Sequence, residues 1–106
     1  MEQLNKVELI GVVGSIRVQT IGDMQQARIM LATNYAYKNK EGEPVIETTW
    51  HNVTAWEGRN MPDFSEIQRG TNLKVIGRLR YERYTTPEGH EVAHTDVIAS
   101  KIEIVE

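Results

Sequence analysis

The sequence contains no cysteine, no long apolar run and no excess of positive charge, and each absence limits what the protein is. Without cysteine, the chain has neither disulfides nor thiolate-bound zinc. No apolar stretch approaches the roughly 20 residues that a membrane-spanning helix needs. Residues 1–6 lack the basic start and apolar run of a signal peptide, which predicts a cytoplasmic location.

Motifs that serve catalysis or cofactor binding are also absent. The sequence has no glycine-rich phosphate loop and no Gly-x-Ser-x-Gly nucleophile motif. His90 and His94, in an extended segment, are separated by about 13 Å, which is too far for one metal ion. We therefore expect no catalytic residues, no metal site and no cofactor.

The negative charge of the chain is unevenly distributed. A formal net charge of −3 argues against a uniformly basic nucleic-acid-binding protein. Residues 71–84 nevertheless carry four basic side chains and one acid, whereas residues 88–106 carry one basic side chain and five acids. Because phosphate contacts depend on the local field, one basic strand on an acidic body can still bind a nucleic acid.

Segments rich in β-branched, apolar and aromatic residues predict five strands. We place them at residues 7–13, 27–33, 46–56, 73–84 and 92–105. Residues 38–44 and 86–89 have the Gly and Pro content of loops and turns. Between the third and fourth strands, Pro62 as a first helical residue and Gly70 as a stop predict one short helix.

This order of elements predicts an all-β protein, a five-stranded OB-fold Greek-key barrel with one short helix between strands 3 and 4. The length of 106 residues suits a single domain. An SH3-like barrel and a β-sandwich are the alternatives, but neither requires a helix at that position.

Two tryptophans on the third strand give the strongest indication of function. Side chains alternate along a strand, so Trp50 and Trp56 share one face, about 20 Å apart, and Val53 and Ala55 share the other. An isolated tryptophan more often fills a core. Here Val53 and Ala55 predict the core side, so the indoles lie outside, spaced to stack separate bases of a single strand.

The fourth strand carries a second candidate face. Arg78, Arg80 and Tyr84 share one side and form a basic stripe ending in an aromatic ring, which suits a phosphate backbone and a stacked base. A solvated face with scattered charges is the alternative. The opposite side is predicted to face the core and comprises Leu73, Val75, Leu79 and Tyr81.

Aromatic and basic residues also flank the loop after the second strand. Tyr35 and Tyr37 share one face and extend the predicted platform toward Lys38 and Lys40. His51 lies on the face opposite the two tryptophans, and we therefore expect it to serve packing or a subunit contact.

Taken in order, the motifs resemble those of the bacterial single-stranded DNA-binding protein family. The matching segments are Asn5–Val7, Leu9–Gly11, Leu31–Thr33, Thr49–His51 with Trp56, Gly77–Arg80 and Thr95–Val97. Each is weak alone, but together they cover nearly the whole chain with consistent spacing. The resemblance implies an OB-fold that assembles as a homotetramer and binds single-stranded DNA in replication, repair or recombination.

The resemblance also implies roles for individual residues. The stacking aromatics of the family fall on Tyr37, Trp50, Trp56 and Tyr84. Its basic positions near DNA fall on Lys6, Arg78 and Arg80. Its subunit contacts fall on His51, Val7 and Leu9.

Departures from the family pattern leave alternatives open. The chain ends at Glu106, so we expect one domain over residues 1–106 without the tail that recruits replication proteins. Glu57 follows the aromatic Trp56 where the family usually begins a Gly-Lys pair, and Lys74 and Ile76 replace its usual Tyr and Glu. The alternatives are an OB-fold protein-interaction subunit with weak or no DNA binding, and a binder of single-stranded RNA.

Overall fold

Five long strands account for most of the chain in the computed structural model, which describes residues 1–106. The strands are β1 (Val7–Ile21), β2 (Met24–Lys38), β3 (Pro44–Trp56), β4 (Asn72–Thr85) and β5 (Glu91–Val105). Their β-branched and aromatic content favours extended backbone. The number and order of strands are confirmed, and every strand is longer than the sequence predicts.

The strands close into a barrel in the order β1-β2-β3-β5-β4. All neighbouring pairs are antiparallel except β3 and β5, which run parallel and pair through Val53–Val97 and Thr54–Ile98. Closure leaves no free sheet edge within the barrel wall. This topology is that of the predicted five-stranded OB-fold.

The core follows the alternation expected of strands that are buried on one side. Fully buried side chains come from every second residue, such as Ile29 and Leu31 on β2 and Leu73 and Val75 on β4. On β3, Val53 and Ala55 are buried in the same cluster. The inward direction that the sequence predicts for these two residues is therefore correct.

The predicted short helix is a single 3₁₀ turn, Phe64–Glu66. Pro62 precedes it, and Asp63 is the N-cap, whose carboxylate accepts a hydrogen bond from the backbone N–H of Ser65 at 3.0 Å. The turn ends because Ile67 returns to an extended conformation and buries its side chain. No helix of the structure is long and apolar enough to cross a lipid bilayer.

The predicted core face of β4 is correct only for its first half. Leu73 and Val75 are buried, but Leu79 is exposed and Tyr81 is 76% exposed. The β4–β5 register jumps between Ile76 and the next residue, which leaves an irregularity of the bulge type. Bulges increase local twist, and beyond this point the hairpin leaves the barrel wall; we call residues 79–96 the β4–β5 arm.

Candidate nucleic-acid interface

The outward side of β1, β2 and β3, here called the outer face, carries the two tryptophans. Trp50 and Trp56 are 52% and 37% exposed, and both point outward, as the alternation of β3 predicts. Asn52 and Thr54 lie between them on the same strand face. The indoles therefore mark the two ends of one strip of surface.

Trp50 lies across two small residues on the neighbouring strands. It pairs with Ala32 on β2, and its ring lies against Gly14 on β1, where an added Cβ atom would come within 2.6 Å of the ring atom Cη2. Gly14 also sits where the β1–β2 register shifts, between Val13 and Ser15. The sequence predicts that the first strand ends at this glycine. In the structure β1 continues to Ile21, and the indole of Trp50 packs against the glycine.

The β4–β5 arm curls over the middle of the outer face and encloses a groove of about 590 Å³. Asn52 and Thr54 belong to its floor, while Arg80, Tyr84 and His94 belong to its wall. The ring of Tyr84 meets His94 edge-on, with centroids 6.1 Å apart. The arm thus brings an aromatic and a basic residue of β4 opposite the strip between the tryptophans.

Arg80 is engaged in an ion-pair cluster within this wall. Its Nη2 atom lies 2.8 Å from Glu82 Oε1 and 3.1 Å from Asp96 Oδ2. His94 Nε2 lies 3.2 Å from Glu82 Oε2 and 3.6 Å from Asp96 Oδ2. Two carboxylates share one guanidinium, so the charge of Arg80 is balanced locally. The cluster forms because Glu82 pairs with His94, and Arg80 with Asp96, across β4 and β5. The sequence does not predict this strand register and therefore does not predict the cluster.

Two predicted tyrosines lie on the other side of the β2–β3 ribbon. Tyr35 and Tyr37 continue the alternation of the buried Leu31, so they project from the side opposite Trp50. Their ring centroids are 6.0 Å apart. They form an exposed aromatic pair at the hairpin end of the ribbon, separate from the groove.

The remaining predicted basic contacts are exposed and lie outside the groove. None of them forms an ion pair, so their charges are available to a ligand. They are Lys6, Lys38, Lys40 and Arg78. Of the predicted binding residues, the groove lining itself includes Arg80 and Tyr84.

The predicted subunit-contact residues of β1 face inward. Val7 and Leu9 are half-buried and pack against the core. The outward apolar residues of this segment are Ile10, which is 62% exposed, and Val12, which is also exposed. In this first part of β1, the apolar side chains that face solvent are therefore those after the predicted contact residues, not the predicted residues themselves.

His51 lies opposite the tryptophans, as predicted, and is half-buried. Its Nε2 atom is 2.8 Å from the hydroxyl oxygen of Thr33. Burial lowers the pKa of His51, because removal from water disfavours the charged imidazolium.

This lowered pKa predicts that the protein loses stability on acidification. The unfolded chain takes up a proton near pH 6.5 more readily than the folded chain, so the stability due to neutral His51 is present above that pH and is lost as the pH falls through the lower, folded-state pKa. Melting temperatures measured between about pH 7.5 and 5.5 should fall less for His51→Gln than for the unmodified protein. His90→Gln, at an exposed loop histidine, is the matched control and should follow the unmodified protein. Equal slopes for all three proteins would contradict the assignment.

Exposed aromatic side chains beside a groove on an OB barrel are features that this structure shares with the oligonucleotide-binding proteins of the fold. A sequence model of the single-strand binding protein family matches residues 4–105. The chain belongs to this family, and the predicted membership is confirmed.

Individual relatives agree with this assignment. The chain is 31% identical over 104 residues to a single-stranded DNA-binding protein of Xanthomonas campestris, covering 96% of this chain and 60% of that one. It is 29% identical to a mitochondrial single-stranded DNA-binding protein of Danio rerio, covering 95% of this chain and 75% of the relative. The chain thus spans about 60% of the length of the Xanthomonas protein.

Solved structures agree on the fold. The structure of a Plasmodium falciparum SSB in complex with ssDNA superposes with a TM-score of 0.83 at 23% identity, covering 100% of this chain and 98% of that one. A single-stranded DNA binding protein from Thermus aquaticus, a deletion mutant, superposes with a TM-score of 0.76 at 24% identity, covering 97% of this chain and 51% of that one.

Proposed function

We propose that the protein binds single-stranded DNA without sequence preference and without catalysis, by stacking bases on aromatic side chains and contacting phosphates with basic ones. The observation that carries the proposal is the exposure of Trp50 and Trp56 at the two ends of one strip of the outer face. Every base has a π-face, so stacking on separated indoles tolerates any sequence, and each stack contributes roughly 1–3 kcal/mol.

The other predicted residues extend this interface in two directions. Tyr84 adds an aromatic ring to the groove wall, and Arg80 serves mainly to hold that wall in place, because two carboxylates already balance its charge. At the end of the β2–β3 hairpin, a group of exposed aromatic and basic side chains offers further contacts to a longer DNA strand. The group comprises Tyr35, Tyr37, Lys38 and Lys40. Lys6 and Arg78 are further phosphate contacts in this proposal.

We also propose that copies of the chain assemble, as a homotetramer, through β1 and His51. The exposed side chains of Ile10 and Val12 give β1 an apolar surface that a second copy would remove from water. Val7 and Leu9 would support this surface from the inner side, where they pack on the core. We further propose that this binding serves DNA replication, repair or recombination, and that it takes place in the cytoplasm.

Titration with oligo-dT tests the binding proposal directly. A base stacked on an exposed indole changes its surroundings, so tryptophan fluorescence should be quenched strongly at low salt, and the apparent affinity should fall as salt is added. Unchanged fluorescence with excess oligo-dT at low salt would overturn the proposal and leave the protein-interaction subunit and the binder of single-stranded RNA as the remaining roles.

Competition experiments distinguish the type of nucleic acid. Unlabelled RNA and duplex DNA of matching length should displace oligo-dT less effectively than unlabelled single-stranded DNA. Stronger displacement by RNA would replace DNA with RNA as the ligand.

Light scattering on the same samples measures the number of subunits, and a monomer with and without DNA would contradict the homotetramer.

A further inference from the structure

Two arginines in the middle of the outer face have no acidic partner. Arg17 on β1 pairs directly with Arg28 on β2, and Arg28 pairs in turn with Thr54 on β3. Both arginines are exposed and line the groove. Neither guanidinium forms an ion pair.

This pairing is unfavourable for the folded protein on its own. Like charges directly opposite each other on neighbouring strands destabilise a sheet. The chain does not lack acids, since it has 15 acidic and 12 basic residues. Within the same groove the third arginine, Arg80, is neutralised by Glu82 and Asp96, whereas Arg17 and Arg28 are not. The uncompensated pair therefore points to an anion that binds between the two guanidinium groups.

We propose that Arg17 and Arg28 form a phosphate-binding site for the part of a DNA strand that runs between the bases stacked on Trp50 and Trp56. This inference rests on the proposed function and assigns the main ionic contact within it. Arg28 lies in the strand row of Thr54, which is two residues from Trp56 and four from Trp50 on β3. At roughly 3.3 Å per residue, both indoles are within about 13 Å of that row.

The chemistry of the two side chains fits a phosphodiester. A guanidinium offers planar, parallel N–H donors that match phosphate oxygens in two-point contacts. If bases of one DNA strand stack on both indoles, the phosphates between those bases must pass over the middle of the strip, where the two arginines lie. Arg17 and Arg28 line the groove, whereas Arg78 and the hairpin lysines lie outside it. The phosphate site is therefore assigned to the arginine pair because of its position, and not because of its charge alone.

The test compares Arg17→Gln, Arg28→Gln and the double variant with the unmodified protein. Arg69→Gln is the matched control, since Arg69 is exposed, forms no ion pair and lies outside the groove. Oligo-dT affinity is measured by tryptophan quenching over a range of salt. Each lost phosphate contact should reduce the slope of log affinity against log salt by about 0.7, so between about 50 and 200 mM the double variant should lose roughly sevenfold less affinity than the unmodified protein. Arg69→Gln should keep the full slope.

A second measurement separates a binding role from a structural one. Because the repulsion between the arginines is removed, the double variant without DNA should melt at the same or a higher temperature than the unmodified protein. An oligothymidine with an uncharged methylphosphonate backbone should bind both proteins equally. If the unmodified protein is quenched by oligo-dT but the double variant keeps its full salt slope, the phosphate site is wrong and the proposed function stands. If the unmodified protein shows no quenching, the proposed function itself fails.

Discussion

Trp50→Ala should weaken the binding of oligo-dT by about 5- to 150-fold, the equivalent of roughly 1–3 kcal/mol for one lost base stack. The indole is half exposed and its ring lies against Gly14, so its outward surface is available to a base. Trp56→Ala should have an effect of similar size. Each single variant retains one tryptophan, whose quenching by DNA reports the remaining interaction.

Tyr81→Ala is the matched control for this result. Tyr81 is the most exposed aromatic of the arm, and it projects from the side that does not line the groove. Its loss should leave affinity within about twofold of the unmodified protein, because scattered surface substitutions have small effects. Unaltered affinity for Trp50→Ala and Trp56→Ala alike, with folded variants, would rule out stacking on β3.

Gly77→Ala should destabilise the folded protein by about 3 kcal/mol or more, the upper end of what forced overpacking produces. A Cβ atom at this position would overlap the carbonyl oxygen of Ile98 and lie 2.9 Å from its carbonyl carbon. These are backbone atoms of β5, so the clash is relieved only by separating two strands where their register already shifts. Thermal or urea unfolding monitored by circular dichroism measures the loss.

Gly58→Ala provides the comparison at a glycine that has room. The nearest atom to an added Cβ there is the carbonyl oxygen of Trp56 at 3.9 Å, and Gly58 does not have a positive φ. This variant should be neutral or stabilised by about 0.4–1 kcal/mol, because alanine restricts the unfolded chain. A Gly77→Ala protein as stable as Gly58→Ala would show that β4 and β5 separate there without cost.

Alternation along β3 is sufficient to predict the directions of its side chains, because this strand is paired with β2 without interruption from Pro44 to Trp56. The same rule fails on β1. The register shift between Val13 and Ser15 reverses the alternation, so Ile10 and Val12 before it and Arg17 after it all face outward. A shift of this kind depends on the partner strand, and the sequence of β1 alone does not reveal it. The arginine pair was missed for this reason.

The arm shows a second limit of sequence reasoning. Leu79 and Tyr81 continue the alternation of the buried Val75, yet they lie where the barrel no longer covers them. The ion-pair cluster of Arg80 likewise depends on which residues of β5 lie opposite β4. The register between β4 and β5 depends on the turn that joins them and on the register shift near Gly77. Neither feature can be derived from the alternation within one strand.

The contact between Gly14 on β1 and the ring of Trp50 on β3 has a consequence for how this surface can evolve. The ring of Trp50 occupies the space that a side chain at position 14 would need, so what is constrained is the combined size of the residues at positions 14 and 50. Enlargement at position 14 must be matched by a smaller side chain at position 50. Changes at these distant positions should therefore be inherited together, and a homologue that carries a bulky residue on β1 should have moved its aromatic ring to another strand position.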